Sequence, residues 1–121
     1  MNTTELQYVL DQEMLRQYIE MIGADKLLSS ALMLEDKLSS YEAQLKSCAS
    51  KQNVVKLRQQ VHQVKGAAGT LGLKRIQLTA DHIQKKEHLL WQLEDEHDLK
   101  LLLRYLNEDV PILLDYLRCQ A

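Results

Sequence analysis

His62-Gln63-Val64-Lys65-Gly66-Ala67-Ala68-Gly69-Thr70-Leu71-Gly72-Leu73 closes an amphipathic helix and carries Gly66 and Gly69 within it. Upstream and through it, apolar residues fall at Val54, Leu57, Val61, Val64, Ala68 and Leu71 in steps of three and four, so one stripe faces a core. At about 100° per residue, His62 projects roughly 130° from the centre of that stripe, toward solvent. Lys65, Gly66 and Gly69 lie on its flank, one and two turns further along. Each glycine inside a helix costs about 1 kcal/mol relative to alanine. Two of them beside an exposed histidine predict that something bulky approaches the imidazole closely. The ring is presented to a visitor, not packed.

The rest of the chain supplies helices for this one to pack on. Only one proline and four glycines occur, and no stretch alternates apolar with polar residues as a strand would. Asp11 to Ile22 reads as a short first helix with Asp11 as N-cap, Met14, Leu15, Tyr18, Ile19 and Ile22 on one face, and Gly23 as its end. A second helix spans about Asp25 to Ser47, with a stripe of Leu28, Ala31, Leu34, Leu38, Tyr41 and Leu45. Ser47 to Asn53 is a polar turn, and Asn53 can cap the third helix, which bears His62. Gly69 to Gly72 ends that helix, Gly72 reading best as a C-cap residue.

A fourth helix is expected over Lys74 to Trp91, and Glu94 to Asp98 reads as a charged connection in which Asp95 or Asp98 caps the last helix. That helix lines up Leu99, Leu102, Leu103, Leu106, Val110, Leu113 and Leu117, with Pro111 removing one backbone hydrogen bond and bending the axis. The expectation is an all-α fold: an antiparallel up-and-down four-helix bundle with an additional short N-terminal helix. The 121 residues form one domain, with its core over about residues 11–118.

Composition narrows the function classes. Fifteen lysines and arginines stand against 17 aspartates and glutamates, a net charge of −2, which gives no electrostatic case for nucleic acid or an anionic membrane. No apolar run reaches the roughly 18 residues of a transmembrane helix. Met1-Asn2-Thr3-Thr4-Glu5 does not read as a signal peptide, and Cys48 and Cys119 read as free thiols, so the expected location is the cytoplasm. Gly66-Ala67-Ala68-Gly69 is neither a nucleic-acid GXXG loop, lacking strands and a basic surface, nor a phosphate-binding P-loop, lacking a preceding strand and the Gly-Lys-Ser/Thr end. No Glu-x-x-His pair repeats on the core stripes, so no metal centre is expected. His82, His88 and His97 read as ordinary surface histidines.

The pattern His62-x-x-Lys65-Gly66-x-x-Gly69-x-x-Gly72-Leu73, with the later Ile83-Gln84, resembles the signature of histidine-containing phosphotransfer (HPt) domains over nearly the whole chain, from about Asp11 to Leu117. The resemblance implies a phosphorelay carrier without autonomous catalysis. It would accept a phosphoryl group at His62 Nε2 from a receiver-domain aspartate and pass it to another receiver. It implies that Gln84 holds the other ring nitrogen. The residue types suit the chemistry. An exposed imidazole with an ordinary pKa near 6.5 is mostly neutral at cytosolic pH, and a nucleophile needs that lone pair. Lys65 can reach phosphate oxygens, while Gly66 and Gly69 clear the space around them.

An amide oxygen accepting from Nδ1–H would leave Nε2 free to attack. No cofactor is expected on the chain itself, Mg²⁺ being carried by the receiver. The expected partners are response-regulator receiver domains and, as a further candidate, a hybrid sensor kinase, with the domain acting as a monomer. The alternative is a helical adaptor of the same fold that binds a receiver or kinase without carrying phosphate.

Overall fold

The computed structural model describes residues 3–120; residues 1, 2 and 121, which the single-domain reading includes, lie outside the described residues. Among the described residues there are six helices and no strand: α1 (Thr3–Val9), α2 (Gln12–Ile22), α3 (Ala24–Ser50), α4 (Val54–Thr70), α5 (Lys74–Gln84) and α6 (Leu93–Gln120). Two caps expected from sequence are in place. Asp11 Oδ1 accepts from the Met14 backbone N–H at 3.1 Å, and Asn53 Oδ1 from that of Lys56 at 3.0 Å.

Helices α3, α4, α5 and α6 close a ring in which each packs on its neighbours, α3 meeting both α4 and α6. This is the antiparallel four-helix bundle expected. Leu45, Leu57, Val61, Leu102, Leu106 and Leu113 fill its centre, fully buried, each burial contributing about 1.5–3 kcal/mol of hydrophobic stabilisation. Helix α2 leans on α3 and α1 on α5, adding Val9, Leu10 and Leu15 to the core. The turn after α4 is fixed by Gly72, whose φ of +68° suits glycine and whose missing Cβ would stand 2.9 Å from Leu15 Cγ. Its carbonyl accepts from the Asp11 N–H at 2.8 Å, tying the turn to the start of α2.

Four boundaries depart from the sequence expectation, the smallest at α3, which runs on to Ser50 into the stretch expected as a polar turn. Helix α1 was not foreseen; seven residues are too few to display a period, and its end is held by the burial of Val9 and Leu10. Helix α5 stops at Gln84, well short of Trp91, although Lys85 to Glu87 are good helix formers. The chain is diverted there by ionic contacts. Lys86 Nζ meets Asp98 Oδ2 at 2.8 Å and Glu94 Oε2 at 3.0 Å, and His88 Nε2 meets Asp95 Oδ2 at 2.7 Å. Such tertiary contacts override propensity.

Helix α6 correspondingly begins at Leu93, so Asp95 and Asp98 lie inside its first turns and are buried. Asp95 still serves the helix start, its Oδ2 accepting from the Gln92 N–H at 2.8 Å, the backward-reaching half of a capping box. Helix α6 continues through Pro111, which faces solvent.

Candidate functional site

The site is built on the antiparallel packing of α4 against α5. Their contacts form a ladder of constant register. Gly69 faces Gln77, Lys65 Nζ bonds Asp81 Oδ1 at 2.7 Å, and Gln84 Nε2 lies 2.9 Å from His62 Nδ1. Beyond the end of α5 the same progression continues, with Arg58 Nη2 donating to the His88 carbonyl at 2.7 Å. Each step along α4 is matched by an equal step back along α5, so a contact at one rung dictates the residues of the next. Valines and leucines on the opposite side of α4 (Leu57, Val61, Val64) are buried, and that anchors the ladder's face toward solvent.

His62 is exposed, as its helical phase predicts, and it lines an open hollow of about 460 Å³ with Val55, Arg58, Gln59 and Gln84. Gln84 is the ring's side-chain partner, as the resemblance implied, but the end of the amide differs. The nitrogen, not the oxygen, is turned to Nδ1. A donating amide requires a lone pair on Nδ1 and so puts the neutral ring's proton on Nε2. A half-turn about the terminal torsion of Gln84 brings the oxygen to Nδ1 instead, and the proton then moves there, freeing Nε2. The pair can therefore hold either tautomer, and the rotation of one amide decides which.

The two glycines differ. An added Cβ at Gly66 would meet nothing within 4 Å, so the surface beside His62 is open. At Gly69 an added Cβ would come 3.2 Å from Gln77 Nε2 on α5, which gives that glycine a packing reason inside the chain. Lys65 is one turn from His62, and its ammonium is on Asp81. The other oxygen of that carboxylate takes Lys85 Nζ at 2.8 Å. The hydrogen bonds from Lys65 and Lys85 hold the Asp81 carboxyl at a pKa of about 2. Asp81 and Lys85 were not singled out from sequence. Their signal was present, because Asp81 precedes Gln84 by the interval at which Lys65 follows His62.

Arg58 anchors the 85–92 connection through the His88 carbonyl, with its Nη1 buried and without a hydrogen-bond partner among the described residues. His88, read as an ordinary surface histidine, is largely buried, its Nε2 within 2.9 Å of both oxygens of Asp95. His82 and His97 are exposed as expected. Beside the anchored connection, Leu89, Leu90 and Leu93 stand 73%, 80% and 90% exposed, an apolar rim that no part of the described chain covers. Among the described residues no group of three or more His, Cys, Asp or Glu side chains is placed to hold a metal ion, and no helix is long and apolar enough to cross a membrane.

The family model described as Hpt domain matches residues 13–111. The aerobic respiration control sensor protein ArcB of Escherichia coli K12 is 30% identical over 84 residues, 69% of this chain, and the same protein of Shigella flexneri matches equally. The chain spans about a tenth of those relatives, 11% of their length. Among solved structures, the histidine-containing phosphotransfer domain of ArcB from E. coli superposes with a TM-score of 0.87 at 24% identity, covering 97% of this chain and 99% of that one. A solution structure of the same E. coli domain gives 0.81 at 25% identity, over 97% and 96% of the two chains.

Proposed function

Because this chain belongs to the Hpt domain family, a phosphotransfer intermediate in phosphorelays and not an autonomous enzyme, we propose that His62 is its phosphoacceptor. The observation that carries the assignment is an exposed imidazole whose Nδ1 lies 2.9 Å from the Gln84 amide, on a stretch of α4 left open at Gly66 and bordered on its other side by the hollow of Val55, Arg58 and Gln59. In the reactive tautomer, Nδ1–H donates to the Gln84 oxygen and the Nε2 lone pair attacks the phosphorus of an aspartyl phosphate. The N–P bond forms as the O–P bond breaks, and the bonding electrons remain on the departing aspartate carboxylate. Handing the group on is the same step reversed, toward a second receiver. The metal ion and acidic pocket belong to the receiver, so the working site is assembled from two proteins.

The partners are response-regulator receiver domains, with a hybrid sensor kinase as the further candidate upstream. We place their contact on the hollow around His62 and the apolar rim at Leu89 and Leu90. The domain acts as a monomer in the cytoplasm, a setting that agrees with Cys48 and Cys119 both being free thiols.

Incubation with a phosphorylated receiver tests the assignment. The wild-type chain should take up label that is lost in acid and stable in base, as a phosphoramidate is. His62→Gln should take up none while keeping its helical circular dichroism. Acid-stable label, or label persisting in His62→Gln, would overturn the assignment.

A further inference from the structure

Lys65 is the cation closest in sequence to His62 on the exposed side of α4, yet it is already engaged. Its ammonium and that of Lys85 each grip one oxygen of Asp81, at 2.7 and 2.8 Å. That carboxylate sits one turn before Gln84 on α5, in the rung next to the one that holds the imidazole. Two positive charges and one negative charge thus lie one rung along from the ring. After transfer the ring bears a phosphoryl group of charge near −2, with three strong acceptor oxygens. Lysine is a point charge on a flexible four-carbon stem, so either ammonium can turn to a new anion without moving the backbone. Lys65 and Lys85 are 33% and 74% exposed, which leaves both free to swing.

Resting on the reading of His62 as phosphoacceptor, we propose that Asp81 is a counter-ion that competes with the phosphoryl group for Lys65 and Lys85. It has two consequences. In the resting protein it holds both ammonium groups at the rung next to that of the imidazole. In the phosphorylated protein it retains part of the positive charge that would otherwise stabilise the phosphoryl group. Asp81 therefore lowers the stability of phosphorylated His62 and biases the carrier toward giving the group away. Its carboxyl stays ionised down to a pH of about 2, so the competition operates at every physiological pH. Asp81 is a positioning residue acting through the lysines, and it does not touch the reacting atoms.

The test is the equilibrium of phosphoryl transfer between the full chain and a receiver domain that charges the wild type, read as the ratio of the two phosphorylated proteins. Asp81→Asn should raise the share on His62 about fivefold, the size expected when an ammonium released from the carboxylate turns to the phosphoryl oxygens in water. Asp81→Glu, which keeps the charge within reach of both lysines, should restore the wild-type ratio. Adding Lys65→Gln and Lys85→Gln to Asp81→Asn should cancel most of the gain, because the released cations are then missing.

An unchanged ratio in Asp81→Asn, or a shift toward the receiver, overturns the inference, and so does a gain undiminished without the lysines. A purely structural role would lower the thermal midpoint without this pattern of rescue. Mapping the label keeps the two readings apart. Label confined to His62 with a flat Asp81→Asn response sinks only the counter-ion role, whereas label elsewhere removes the phosphoacceptor reading on which it rests.

Discussion

Two aspartates on the two sides of α5 each face basic side chains, and their carboxyl groups shift in opposite directions. Asp81, on the solvent side, is held at about 2 by hydrogen bonds from Lys65 and Lys85. Asp109, on α6 facing the inner side, has no exposed surface, and its carboxyl is pushed above the usual carboxylate range by burial. The bidentate bonds from Arg75, with Nε to Oδ2 at 3.0 Å, only partly offset that burial. The attraction is of the same kind in both places, and the supply of water differs. At Asp81 the carboxylate keeps part of its contact with water, and the two ammonium groups outweigh what it loses, so either can be traded for another anion. At Asp109 the carboxylate has given up its hydration, and the guanidinium, clamped over the Tyr105 ring at 4.2 Å, repays part of that loss. One pair is exchangeable and suits a carrier's site. The other is fixed and orients α5 on α6.

The fixed pair should respond most strongly to mutation. Arg75→Met leaves an ionised, buried Asp109 without its partner and should cost about 3 kcal/mol of stability. Urea unfolding monitored by circular dichroism measures it. The pH dependence has a definite sign. Without the guanidinium the folded-state pKa of Asp109 rises further, so the penalty is full at pH 7. It shrinks as the pH falls through that raised value, where a neutral carboxyl tolerates burial. A penalty that stays constant from pH 7 to pH 4 would mean that Arg75 matters through its packing on Tyr105 and not through charge. Phosphoryl transfer by the folded fraction should be unaffected.

An intermediate response is expected where the two regimes meet, at the 85–92 connection. His88 is largely buried and bonds the buried Asp95, while its carbonyl takes the guanidinium of Arg58 from α4. His88→Ala keeps the carbonyl and the Gln92 N–H bond to Asp95 but removes the ring. It should cost about 2 kcal/mol, the order of one buried acceptor losing a strong donor. Because the connection lies beside the hollow at His62, amide exchange of residues 85–92 should accelerate more than that of α3 or α6. Uniform acceleration across the chain would show that the connection has no local stability of its own.

The contrast also explains what could be read from sequence. Apolar period and capping residues located α2, α3 and α4 and most of α6, because those signals are internal to one helix. His62, Lys65 and Gln84 were legible because a motif names them, and Gly72 because a turn demanded it. What stayed hidden were the partners across helices: Asp81 for Lys65, Asp109 for Arg75, Asp95 for His88 and the Arg58 anchor. Each depends on the register between two segments, which no single helix encodes. The stop of α5 at Gln84 follows from the same cause. Lys85 to His88 suit a helix, and only contacts from α4 and α6 draw them out of one.

The smallest effect on stability is expected at the exchangeable pair, where the effect on transfer is expected to be large. Lys65→Gln removes one of two cations from a half-buried carboxylate that keeps Lys85. Solvent-screened ion pairs of this kind contribute little to stability, so the urea midpoint should barely move. The phosphoryl group gains more from the same ammonium, because its charge is larger and no other basic side chain follows His62 one turn along α4. The rate of phosphoryl uptake from a charged receiver should fall about tenfold, the equivalent of one charge-assisted hydrogen bond at an exposed site. Lys65→Arg should recover part of that rate, since it restores the charge on a stiffer, bulkier head. If Lys65→Gln lost stability and transfer in proportion, the outer pair would be structural like the inner one. The distinction between exchangeable and fixed cations would then fail at its most exposed point.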